Sequence, residues 1–99
     1  MTNLDTIAAG LDRVVVEIGR PSRERPCEPR LQAKRARRLA ALHTRRARWW
    51  TALQRASDYR SGVHSVYRDA AVAAQFHAES QARTWTELAD HWTRQEVAA

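Results

Sequence analysis

The sequence predicts an all-α protein: a short N-terminal helix followed by a long antiparallel helical hairpin, a three-helix architecture. Three observations predict it. The stretch 30–60 has no Gly or Pro, is rich in good helix formers, and repeats its apolar residues at helical spacing. The stretch from residue 63 onward is equally free of helix breakers. All three prolines fall within 21–29, so the chain is punctuated heavily once.

A first helix is expected over about 3–18. Thr2 with Asp5 is a variant of the capping box. Leu4, Ile7, Leu11, Val14, Val15 and Ile18 form a narrow apolar stripe suited to docking on a hairpin. The β-branched run Val14-Val15-Val16 weakens this helix and leaves a short strand as the alternative.

Residues 19–29, GRPSRERPCEP, read as the linker. Gly19 is placed to end the first helix. Pro21 and Pro26 interrupt regular structure, and Pro29 suits the first turn of the next helix. Arg20, Arg23 and Arg25 make this linker basic, either as an arm tracking phosphates or as a solvated connection.

The second helix is expected over about 30–59. On a wheel centred at Leu39, residues Leu31, Leu42, Trp49, Trp50 and Leu53 fall within about 80°. Arg30, Lys34, Arg37, Arg45, Arg48 and Arg55 fall between about 160° and 240°, with Arg38 at their margin. One face therefore wants a partner helix, and the other is a cationic ridge about 40 Å long. Arg35 and Arg46 break this sorting by projecting near the apolar stripe. They must either snorkel outward or meet carboxylates of another helix or subunit.

Ser61-Gly62 reads as a tight turn that reverses the chain. One uninterrupted rod is the alternative, and it would expose two long apolar stripes. The third helix is expected over about 63–96, with Val63, Val66, Tyr67, Trp85, Leu88 and Trp92 around an alanine-rich middle. In a hairpin turning at 61–62, residues 49–53 lie opposite about 70–74. The Trp49-Trp50 pair then sits over small alanines, and Trp85 and Trp92 face the start of helix two. The same register brings Glu87 and Asp90 near Arg35 and Lys34 as ion-pair partners, so Arg35, Arg46, Glu87 and Asp90 are the expected interface residues.

A chain of 99 residues makes one small domain with a modest core. Almost half its apolar residues are Ala and it has one Phe, so a core shared with a partner or a second copy is expected. The formal net charge is +6, carried by sixteen Arg and one Lys. The excess is local: eleven bases lie between Arg20 and Arg48 against Glu24 and Glu28, whereas acids outnumber bases from Arg68 onward. A ridge of this kind is either solvated and internally paired, or faces phosphates.

Chemistry-bearing residues are sparse. Cys27 has no second cysteine to pair with and reads as a free surface thiol, which fits a reducing compartment. No 18-residue apolar run exists to span a membrane. The start carries acids where a leader would be basic, so a cytoplasmic location is expected. His43, His64, His77 and His91 form neither HExxH nor paired Glu-x-x-His motifs, so no metal is expected. His77-Ala78-Glu79 and Pro26-Cys27 match fragments of the zinc-deaminase motif, but in the wrong order and without the second Cys. On the inner stripe, His77 is expected to be a packed core residue. No Gly-rich loop or nucleophile–base pair is present, so neither a cofactor, a small-molecule substrate nor enzyme activity is expected.

Ser61–Ala70, SGVHSVYRDA, resembles the turn and recognition-helix start of helix-turn-helix proteins through Gly62-Val63-His64 and Val66-Tyr67-Arg68. The buried residue after the turn comes about two positions early, so the family is not carried over. The size also resembles the small secreted Trp-x-Gly hairpin proteins, yet Trp50 is followed by Thr51-Ala52.

Two functions are therefore expected in order. The first is non-enzymatic nucleic-acid binding through phosphate contacts from Arg30, Lys34, Arg37, Arg38, Arg45, Arg48 and Arg55. Trp49, beside Arg48 at the stripe edge, is the expected stacking ring, with Trp50, Trp85 and Trp92 as core anchors. The second is a helical-hairpin interaction module or accessory subunit that self-associates, its basic face merely solvated.

Overall fold

A computed structural model describes residues 4–58 and 65–98. It contains α1 (Leu4–Arg23), α2 (Pro29–Asp58) and α3 (Ser65–Ala98), and no strand among the described residues. The Val14–Val16 run is helical, because Ile7, Gly10 and Val14 bury one face of α1 against the rest of the chain. The turn expected at 61–62, with His64 and the helix-turn-helix-like turn, lies outside the described residues.

α2 is the central helix: α1 packs on one side of it and α3 on another, while α1 makes no close backbone approach to α3 among the described residues. The hairpin is antiparallel. Gln54 donates to the Ala71 carbonyl and the Gln75 side chain near one end, and Arg37 donates to the Thr93 hydroxyl near the other. A single continuous rod is thereby excluded. Gln54 reaches Ala71 and Gln75, so the register is offset from the expected one, in which residues 49–53 lie opposite about 70–74. The molecule is elongated, with extents of 57 × 21 × 19 Å.

The buried apolar core is Ile7, Val14, Leu39 and Leu42 together with Ala33, Ala36, Ala47, Ala71, Ala78 and Ala89. Alanine at these positions lets helix backbones approach closely and carries no side-chain entropy cost. The four tryptophans are half-buried, at the margins of this core rather than at its centre. Mid-helix threonines 44, 51, 84, 86 and 93 donate their hydroxyls to the carbonyl four residues earlier, which satisfies each donor within its own helix.

α1 runs well past the expected end at Gly19 and through Pro21. Proline removes one N–H from the helical ladder, and the last turn of any helix presents unpaired carbonyls. Here those carbonyls are supplied with donors from outside. Arg35 of α2 donates Nε to the Pro21 carbonyl at 2.6 Å and Nη2 to the Ser22 carbonyl at 3.3 Å. Arg25 donates Nη1 to the Ser22 and Glu24 carbonyls at 2.7 and 2.8 Å. Two guanidiniums thus sit on the negative end of the α1 dipole. Pro21 itself is fully buried. The irregular connection shrinks to residues 24–28, and Pro29 opens α2 as expected.

Candidate functional site

The ridge is exposed along its length. Arg30, Lys34, Arg37, Arg38, Arg45, Arg48 and Arg55 all face solvent. They span about 38 Å of α2 at about 1.5 Å per residue. Two of them have protein partners. Arg45 Nη1 lies 3.0 Å from the Glu17 carboxylate of α1, in a pair whose arginine remains half exposed. Arg37 Nη1 donates to Thr93 Oγ1 at 3.2 Å. Arg30, Lys34, Arg38, Arg48 and Arg55 have no carboxylate partner among the described residues. Exposed ion pairs contribute at most about 1 kcal/mol, so the Glu17 contact leaves Arg45 available to a competing anion.

The acidic partners expected for the two off-register arginines are not what the fold supplies. Arg35 meets carbonyls, not carboxylates, and its guanidinium lies 5.0 Å from the ring centroid of Trp85. Glu87 and Asp90 are exposed and do not engage it. Trp85 does face the start of α2, as the hairpin register requires. Arg46 is half-buried and its Nε has no hydrogen-bond partner.

Trp49 is also used differently from expectation. Its six-membered ring packs on Gly10 of α1, so the indole supports helix docking and is no exposed stacking platform. The alanine groove that was to receive it belongs to α3, on another side of α2.

His43, Arg46 and Trp50 lie at i, i+3 and i+7, one stripe of α2. His43 Nδ1, Arg46 Nε and Trp50 Nε1 are buried without hydrogen-bond partners. His43 is only 7% exposed, and its pKa is lowered by burial first, then by the neighbouring charges of Arg46 and His77. Burial thus favours its neutral form. His77, expected in the core, is exposed instead, because the residue that fills the α3 face beside it is the fully buried Ala78. Cys27 is free and exposed.

Three positions that matter carried little signal in the chain. Gly10 is legible only once Trp49 is known to cross it. Pro21 looked like a breaker and is a buried helical residue. Arg83 of α3 lines a groove of about 350 Å³ with Arg48, Thr44, Thr51 and Glu79, and so extends the basic surface onto the second arm of the hairpin. No cluster of three or more His, Cys, Asp or Glu side chains suited to a metal gathers among the described residues, and none of their helices is long and apolar enough to cross a membrane.

Comparison with protein-family models, curated proteins and solved structures gives no match, so the functional reading rests on these side chains alone.

Proposed function

We propose that the protein is a non-enzymatic nucleic-acid-binding protein that grips phosphates through the α2 ridge. One observation carries the reading: five cations on one side of a single helix have no carboxylate partner among the described residues. Solvated surface charge ordinarily mixes both signs, whereas α2 carries no acidic residue of its own from Arg30 to Ser57 and spaces its cations on one helix. Such contacts position a nucleic-acid backbone without reading its sequence. Binding then falls steeply with salt. Arg30, Arg48 and Arg55 replaced together by Glu should abolish a gel shift with random duplex DNA or RNA while leaving helix content intact. Binding that survives this reversal rules the ridge out.

A second reading is supported by exposed apolar side chains. Phe76 is 63% exposed and Tyr67 72%, and the core beneath them is mostly alanine. In this reading the hairpin self-associates or docks on a protein partner. A dimer in solution that resists both nuclease and high salt, with no gel shift at low salt, would favour it over the first.

A further inference from the structure

A cleft of about 400 Å³ lies where the end of α1 meets the start of α2. Its walls carry Arg20, Lys34, Arg35 and Arg38 against one carboxylate, Glu24. Its remaining lining is Pro21, Pro26 and Leu31, which is apolar and stiff. Leu31 is 39% exposed although it belongs to the apolar stripe of α2, so part of its side chain is open to the cleft.

Arg35 sets this cleft apart from the open ridge. Its Nε and Nη2 are held by the Pro21 and Ser22 carbonyls, and its Cζ lies over the Trp85 ring, 5.0 Å from the centroid. Nη1 has no hydrogen bond among the described residues. A guanidinium fixed in this way has already lost its rotamer freedom, so an anion meeting Nη1 does not bear that entropic cost. Lys34 and Arg38 belong to the ridge and to the cleft wall at once, so a strand lying on the ridge would lead into the cleft.

We infer that the cleft binds a terminal phosphorylated nucleotide, its phosphomonoester among the four cations and its sugar and base over Pro21, Pro26 and Leu31. The inference rests on the ridge reading and sharpens it. A phosphomonoester carries nearly two charges at neutral pH, whereas a backbone phosphodiester carries one, and a concave cluster of cations favours the denser charge. The volume is that of a small-molecule site, ample for one nucleotide. A flat ridge has no such preference for strand ends.

The test uses one 12-nucleotide strand with either a 5′-phosphate or a 5′-hydroxyl, with its 3′-phosphorylated counterpart and a free nucleoside 5′-monophosphate as further probes. A terminal phosphate at one of the two ends should tighten binding by ten-fold or more. Arg20→Ala, at an exposed position off the ridge, should reduce that ratio at least three-fold, and Arg35→Gln should bring it close to one. If Arg35→Gln lowers helicity, Arg20→Ala alone decides. Equal binding of all strands would overturn the cleft while the ridge stands. Binding of the mononucleotide with no strand binding would keep the cleft, as a free-nucleotide site, and end the ridge reading. No binding of any probe at low salt would end both.

Discussion

Gly10 of α1 and Trp49 of α2 are in contact where the two helices cross, with no room for a side chain at position 10. A Cβ built on Gly10 would overlap the Cε2 and Cζ2 atoms of the indole and lie 2.7 Å from Cδ2. Gly10→Ala should therefore destabilise the protein, although alanine is the better helix former by about 1 kcal/mol. Overpacking of this kind costs about 1–3 kcal/mol. The double variant Gly10→Ala with Trp49→Leu should recover part of the loss, since the overlapping ring is gone. Chemical denaturation of the four proteins of this cycle measures the coupling, and strict additivity would mean that the two residues do not meet.

Arg35 should be intolerant of lysine. Its Nε and Nη2 cap two carbonyls at once, and its Cζ lies over the Trp85 ring. A lysine keeps the charge but cannot reproduce the fork. Hydrogen bonds from a charged group contribute about 1.5–3 kcal/mol, and Arg35→Lys should lose a large part of this. Hydrogen exchange should show the loss concentrated in the last turn of α1, around Pro21 and Ser22. Uniform loss of protection along α1 would argue against a local cap.

How much of this was legible in the chain depends on where each determinant lies. The ends set by local chemistry were readable: Pro29 opens α2, and the helix formers of 30–58 continue without a breaker. The end of α1 was not, because the donors that sustain it past Gly19 come from Arg25 and from Arg35, fourteen residues beyond Pro21. The solvent face of α2 followed from the wheel, which places the ridge cations outward. The inner details did not. A wheel gives the angle of each residue on its own helix, but which alanines meet which tryptophans depends on register and on the side α1 chooses. That is why Trp49 was assigned to the α3 groove or to solvent and lies instead on Gly10.

His43 should make stability pH-dependent in a defined direction. Its pKa in the folded protein is lowered from the ordinary 6.5 by burial, by Arg46 and by His77. In the unfolded chain it takes a proton as pH falls below about 6.5, whereas the folded form resists until lower pH. The unfolded state then holds more protons, so stability is complete above that pH and declines as pH drops toward the lowered folded value. His43→Gln should flatten the decline between pH 7.5 and 5 in thermal or urea melts. A variant that keeps the full decline would place the titration on another group.

The ridge makes a quantitative prediction about salt. Each phosphate neutralised on duplex DNA contributes about −0.9 to the slope of log K against log salt concentration. Engagement of Arg30, Lys34, Arg38, Arg48 and Arg55 should therefore give a slope of about −4 to −5. Alanine at Arg30, Arg48 or Arg55 should each flatten it by about one unit and weaken all sequences alike. Alanine at Arg45 should flatten it less, because the Glu17 carboxylate already neutralises part of that charge. Lysine in place of arginine at Arg48 should leave the slope unchanged, since counterion release counts charges rather than forks. Binding isotherms from low to physiological salt read all of these. A slope near zero, or one that no ridge substitution changes, would show that the ordered cations of α2 are a solvated face and nothing more.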